Sequence, residues 1–178
     1  SENLPRDTLI FRALKRLKTT VESVSETKVG LPYLPAENLN NQVTNRLADT
    51  DEPAFVWVHY MDVHNPYLPH DETTSERIDN DVAVGLHNTL IESPDTLTHD
   101  NVDTLRTLYR GEIEYLDQQI GDLLSTADRL LDGETLVAVL SDHGEGFGEH
   151  GYYSHVVDEL HDELVFIPLI INGPNVNS

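Results

Sequence analysis

Ser141-Asp142-His143-Gly144-Glu145-Gly146-Phe147-Gly148-Glu149-His150-Gly151, continued by Tyr152-Tyr153-Ser154-His155, packs three histidines, three carboxylates and four glycines into fifteen positions. It follows the run Thr-Leu-Val-Ala-Val-Leu at 135–140, which reads as a buried strand. A strand ending in Ser-Asp-His-Gly sets a carboxylate and an imidazole where the backbone leaves the sheet, and glycine there lets the chain turn sharply beside a ligand. In open α/β sheets the ligand crevice lies outside the carboxyl ends of the strands. Asp142 and His143 are therefore candidate metal ligands, an oxygen donor beside a nitrogen donor. A lone Asp-His pair is more often an ordinary polar loop, so the pair by itself decides nothing.

A second concentration of histidine lies upstream. Residues 54–58, Ala-Phe-Val-Trp-Val, form an apolar run after Pro53 and read as a strand buried on both faces, as parallel strands are. At its carboxyl end stands His59-Tyr60-Met61-Asp62-Val63-His64-Asn65-Pro66-Tyr67. Between the two strands, residues 102–131 carry apolar side chains at alternating spacings of three and four, a helix with Asp100 as its cap and Gly133 at its end. Strand, helix and strand predict a right-handed βαβ crossover and a parallel sheet with both histidine segments on one rim.

These segments, with Asp-Glu-Leu-His-Asp-Glu-Leu-Val-Phe-Ile-Pro-Leu-Ile-Ile at 158–171, resemble the sulfatase family, a branch of the alkaline-phosphatase-like superfamily. The likeness extends over about 42–67 and 109–174. Its strand before the first histidines ends in a pattern like His-Tyr-Met-Asp-Pro-His-x-Pro-Tyr, and Val63 stands where Pro is frequent. The resemblance implies an α/β fold, a mostly parallel sheet flanked by helices, with residues 1–178 as one partial catalytic domain. By position it gives the divalent metal to Asp142 and His143, contact with the transferred group to His64, and contact with the sulfate ester to His155. Imidazole suits the last two roles because its pKa lies near neutrality. His59 and Asp62 take a structural reading, and Tyr67 either lines the pocket or packs. The ion is Ca²⁺, Mg²⁺ or Mn²⁺ by its carboxylate ligand, with weight shifted toward Mn²⁺ or Zn²⁺ by the imidazole. The family's calcium sites more often carry Asn at the position of His143.

One part of that chemistry has no counterpart in the sequence. The family's nucleophile is a formylglycine made from Cys or Ser in a Cys/Ser-x-Pro-x-Arg motif; the chain has no Cys and no Ser so followed. The expectation is an internal portion of a larger sulfatase, inactive alone, whose exposed sheet edges invite homo-oligomers. Its substrate would be a small-molecule or glycan sulfate ester. Two rivals stand beside this reading: a phosphodiesterase or phosphonate monoester hydrolase of the same superfamily, and a non-catalytic acidic module that binds cations loosely.

The remaining stretches are plainer. Residues 7–18 and 36–49 show helical spacing, with five of the eleven positive charges in the first eighteen residues, and 19–35 read as a connector. Residues 68–101, polar and interrupted by Pro69 and Pro94, read as a surface insertion. A short helix around 156–164 and a strand at 169–171 follow the histidine segment. The 178 residues carry 32 acidic against 11 basic side chains, net −21. Such a surface repels nucleic acid and anionic membrane and suggests a high-salt habitat, where screening relieves self-repulsion. The opening residues have neither signal-peptide nor membrane-span character, and nothing in the sequence reads out a compartment.

Overall fold

A computed structural model describes residues 33–50, 53–68, 78–131, 135–155, 158 and 160–176; the helix expected at 7–18 and most of the connector after it lie outside them. The chain divides into two units, Ser1–Met61 and Asp62–Ser178. In the first, helix α1 (Ala36–Ala48) starts after Pro35, with Glu37 in its first turn and Arg46 in its last, charges that match the helix dipole. Leu47 and Asn40 are buried, and Tyr60 donates its hydroxyl to Asn40 Oδ1 at 2.6 Å.

The strand expected at 54–58 is not formed. Phe55 is 74% and Trp57 68% exposed instead of buried on two faces. An apolar run becomes a strand only when a neighbour takes up its N–H and C=O groups, and no described residue supplies that ladder.

The second unit holds the core. Helix α2 (Asn80–Glu92) begins at Asp79, whose carboxylate accepts from the backbone N–H of Asp81, and a 3₁₀ turn at Pro94–Thr96 follows. Helix α3 (His99–Leu130) begins earlier than the sequence reading placed it. Its cap is Thr98, in a capping box with Asn101, and Asp100 falls inside the first turn. It stops at Leu130 with Leu131 as its cap; Gly133 lies outside the described residues. Its apolar stripe is fully buried only near the start, at Val102, Leu105 and Leu108, whereas Ile113 and Leu124 face water.

Those three residues pack with Ala83, Leu86 and Leu90 of α2 and with Tyr67 and Phe147. Within the stretch 68–101, read as a surface insertion, Ala83, Leu86 and Leu90 thus belong to the core. The spacing of 83, 86 and 90 puts one face of α2 into the core, while Val82, Val84 and Ile91 on its other faces are exposed and blur the helical period in the sequence.

The strands also differ from expectation. Strand β1 (Val137–Leu140) pairs antiparallel with β4 (Leu169–Asn172), Val137 opposite Asn172 and Leu140 opposite Leu169. Between them lie β2 (Gly146–Phe147) and β3 (Tyr153–Ser154), a second antiparallel pair, and the single-turn helix α4 (Asp162–Val165). Among the described residues there is no parallel pair, so the βαβ crossover is not closed. A parallel pair needs two strands joined through a crossover, and residues 54–58 are not a strand. The β1/β4 ribbon consequently leaves Leu140, Leu169 and Ile170 more than half exposed. No described helix is long and apolar enough to cross a membrane.

Leu108 is wholly enclosed. Leu108→Ala is expected to lower the unfolding free energy by about 2–5 kcal/mol, the range for emptying a buried leucine site. Urea denaturation followed by circular dichroism measures it, and a change well below 1 kcal/mol would mean that this core collapses around the gap.

Candidate functional site

Backbone hydrogen bonds and two buried carboxylates shape the site. After β1 the chain passes Asp142 and His143 and reaches Gly144, whose N–H donates to the carbonyl of Leu164 at 2.8 Å. A Cβ at this position would collide with the Glu163 carbonyl, so glycine is required for α4 to lie against the loop. The β2–β3 hairpin then turns at Gly148, which has φ of +91° and donates to the carbonyl of Tyr152 at 2.9 Å. That turn brings Ser154 and His155 back beside Glu145. Ser154 itself has φ of +64°, a left-handed conformation that costs a residue with a Cβ roughly 1–2 kcal/mol.

The segment bearing His64 is fixed from the other side. Leu68 N–H donates to Glu112 Oε1 at 2.7 Å, and Glu112 is almost completely buried on α3. Tyr67, packed edge-on against Tyr109 in the core, donates its hydroxyl to Glu145 Oε2 at 2.6 Å. Asn65 Nδ2 donates to Ser154 Oγ at 3.4 Å. Burial, then the neighbouring Glu145 charge, raise the pKa of both Tyr67 and Tyr109, so both phenols stay neutral.

Three imidazoles meet where these segments converge. The ring centroids of His64 and His155 lie 5.5 Å apart, and those of His143 and His155 4.3 Å. His64 Nδ1 donates to the Asn65 carbonyl at 2.7 Å and His143 Nδ1 to the Gly144 carbonyl at 2.6 Å. A carbonyl can only accept, so each neutral ring carries its proton on Nδ1 and has a lone pair on Nε2. Nε2 of His143 lies 3.7 Å from Asp142 Oδ1, and the Asp142 side chain is 72% exposed. His155 Nδ1 lies 3.4 Å from both Glu145 Oε1 and Ser154 Oγ. The four residues singled out in the sequence, His64, Asp142, His143 and His155, therefore stand in one cluster.

Several participants escaped the sequence reading. Glu145 and Glu112 are the carboxylates that hold the two segments. Alternation with His143 across a glycine could have flagged Glu145, but nothing local marks Glu112. His87, on α2, is a further imidazole near His64; burial and then the charge of His64 lower its pKa. A concavity of about 340 Å³ at the start of α3, walled by Thr98, Arg106, Phe147 and Glu149, contains none of the four candidates. It is bridged by the Arg106–Glu149 ion pair at 2.7 Å, and the partly exposed imidazoles of His143 and His155 do not line it.

Metal binding has a partial fit. With metal–ligand bonds of about 2.0–2.6 Å, an Asp142 oxygen and the His143 Nε2 lone pair 3.7 Å apart can share one ion. Among the described residues no group of three His, Cys, Asp or Glu side chains is arranged to hold one. The pair is half a shell.

Beneath this loop α4 is clamped by His150, which donates Nδ1–H to Glu163 Oε1 at 2.7 Å, and by Tyr152, whose hydroxyl reaches the same oxygen at 2.7 Å. The His150 and His161 rings stack at 3.9 Å. The hydrogen bond to Glu163 raises the His150 pKa above 6.5, and the one from His150 holds Glu163 down to about 2 from 4.5. The contribution of His150 to stability is complete below pH 6.5 and is lost as pH climbs through its raised value; that of Glu163 is complete above pH 4.5 and is lost toward pH 2. The melting temperature of the parent chain is therefore expected to exceed that of Glu163→Gln most between pH 4.5 and 6.5, with the gap narrowing on either side. A gap independent of pH would show that the pair carries no charge-dependent stability.

Comparison with known proteins identifies the family. The chain is 35% identical over 82 residues to a choline-sulfatase of Rhizobium meliloti (strain 1021), a match covering 45% of this chain and 15% of that protein. It is 39% identical over 71 residues to the iduronate 2-sulfatase of Homo sapiens, covering 39% of this chain and 12% of the relative, and 37% identical over 71 residues to that of Mus musculus. The matches thus span less than a sixth of the length of these relatives. No solved structure gives a match. The sulfatase family model matches residues 15–178, nearly the whole sequence, and the chain belongs to the sulfatase family.

Proposed function

We propose that this chain carries part of the active site of a metal-dependent sulfuric ester hydrolase. The observation that supports it best is the meeting of three imidazoles beside an exposed carboxylate, two of them tied at Nδ1 to a backbone carbonyl. Asp142 and His143 Nε2 would hold the ion, with its other ligands supplied from outside this pair. A divalent ion there would supply positive charge against the sulfate oxygens.

The other two rings handle protons. His64 has Nδ1 committed to Asn65, so its protonated form meets the sulfuryl oxygens through Nε2–H. His155, protonated at Nε2, gives that proton to the alcohol oxygen as the sulfur–oxygen bond breaks. The nucleophile comes from polypeptide outside these 178 residues. The relatives' names supply two substrate classes, a sulfated choline and a sulfated uronate, and the substrate of this chain is a sulfate ester of that general kind.

Isothermal titration of Mn²⁺ or Ca²⁺ into the protein tests the metal half. One ion per chain is expected, with affinity lowered at least tenfold by Asp142→Ala. Unchanged affinity in that variant would return the chain to a loosely cation-binding acidic module, and two ions per chain would favour a phosphodiesterase. In the intact enzyme His155→Ala is expected to lower kcat by about 10²–10⁴-fold, the range for a general acid.

The exposed β1/β4 face adds a second expectation. Leu140, Leu169 and Ile171, which the register puts on one face of the ribbon, form an exposed apolar surface on which copies of the 178-residue chain associate. Light scattering should give a mass above one chain, and a clean monomer at high salt would count against it.

A further inference from the structure

The chemistry assigned to His155 requires Nε2, and not Nδ1, to face the ester. A neutral imidazole has two tautomers, and the hydrogen bond made by one nitrogen decides which of them is populated. His64 and His143 settle this with neighbouring backbone carbonyls. Among the described residues His155 makes no such carbonyl bond; its Nδ1 faces Glu145 Oε1 and Ser154 Oγ, each at 3.4 Å.

The two partners are unequal. A hydroxyl both donates and accepts, so Ser154 suits either tautomer. A carboxylate only accepts, and Glu145 has little freedom to move, its side chain being 5% exposed. Its other oxygen is engaged by Tyr67 at 2.6 Å, and Tyr67 is packed among Tyr109, Phe147 and the α2–α3 core. The phenol is neutral and has a proton to give.

We propose that Glu145 is the positioning residue of His155: held by Tyr67, it accepts Nδ1–H and so turns Nε2 toward the sulfate ester. The inference rests on the reading of His155 as proton donor, but the arrangement of hydrogen bonds is measurable without turnover. Glu145 touches neither substrate nor reacting atom; it acts through the ring. The arrangement repeats the logic of an imidazole oriented by a carboxylate on its far nitrogen.

The test is the tautomer of His155, read from long-range ¹H–¹⁵N correlations of the labelled 178-residue chain at a pH where its imidazoles are neutral. In the parent chain the proton is expected on Nδ1; a proton on Nε2 would overturn the proposal without any variant being made. In Glu145→Gln the amide oxygen takes the Tyr67 hydroxyl and the amide N–H₂ donates to Nδ1, which moves the ring proton to Nε2. An unchanged tautomer in a folded Glu145→Gln would reduce Glu145 to a packing role. In the intact enzyme the same substitution is expected to lower kcat by about 10–100-fold at nearly constant KM, the usual cost of losing an orienting partner. If the tautomer switches but His155→Ala retains full activity, the positioning stands and the proton-donor reading fails.

Discussion

The hydrogen bond from the Tyr67 hydroxyl to Glu145, 2.6 Å long, joins segments 78 residues apart in sequence. It puts a phenol and a carboxylate where water is largely excluded, and burial of either alone would cost several kcal/mol. Paired, they fasten the histidine-bearing segment around residue 64 to the glycine-rich loop that follows β1. A neighbouring bond from Leu68 N–H to the buried Glu112 does the same against α3. The imidazoles themselves are partly exposed and make few contacts. Their placement is inherited from buried polar groups, an arrangement in which a supporting layer sets the geometry of the exposed one.

A second support comes from below the loop. Gly144 gives its N–H to Leu164, and α4 lies so close that no side chain fits between them. The same helix is also held by His150 and Tyr152 through Glu163. Asp142 and His143 thus sit on a backbone turn braced by a one-turn helix. A helix that short has no stability of its own and depends on those clamps.

Sequence reading and structure agree where the signal is local. Dense histidine and glycine at 141–155 marked the cluster, and α1, the body of α3, and β4 followed from helical or apolar spacing. Failures occurred where the outcome depended on a partner elsewhere in the chain. Residues 54–58 have strand composition, and among the described residues no strand pairs with them. Ala83, Leu86 and Leu90 alternate with the exposed Val82, Val84 and Ile91, and only their burial against Leu105 and Leu108 sets them apart. Asp100 was a plausible cap, but the capping box of Thr98 and Asn101 satisfies two backbone donors at once. Glu112 looked like one more acidic residue among 32. Only the fold distinguishes a carboxylate that meets a backbone N–H from one that meets water. The α/β architecture of the family is likewise represented here by helices and small antiparallel pairs, because sheet order is set by neighbours and not by any strand's own residues.

The chain has a single tryptophan, Trp57, and its indole stands in water. Ultraviolet emission excited at the red edge of protein absorbance therefore originates from one residue of known surroundings. Its colour reports whether the extended segment after Pro53 is bare or covered, so any later engagement of that stretch can be followed optically without attaching a dye.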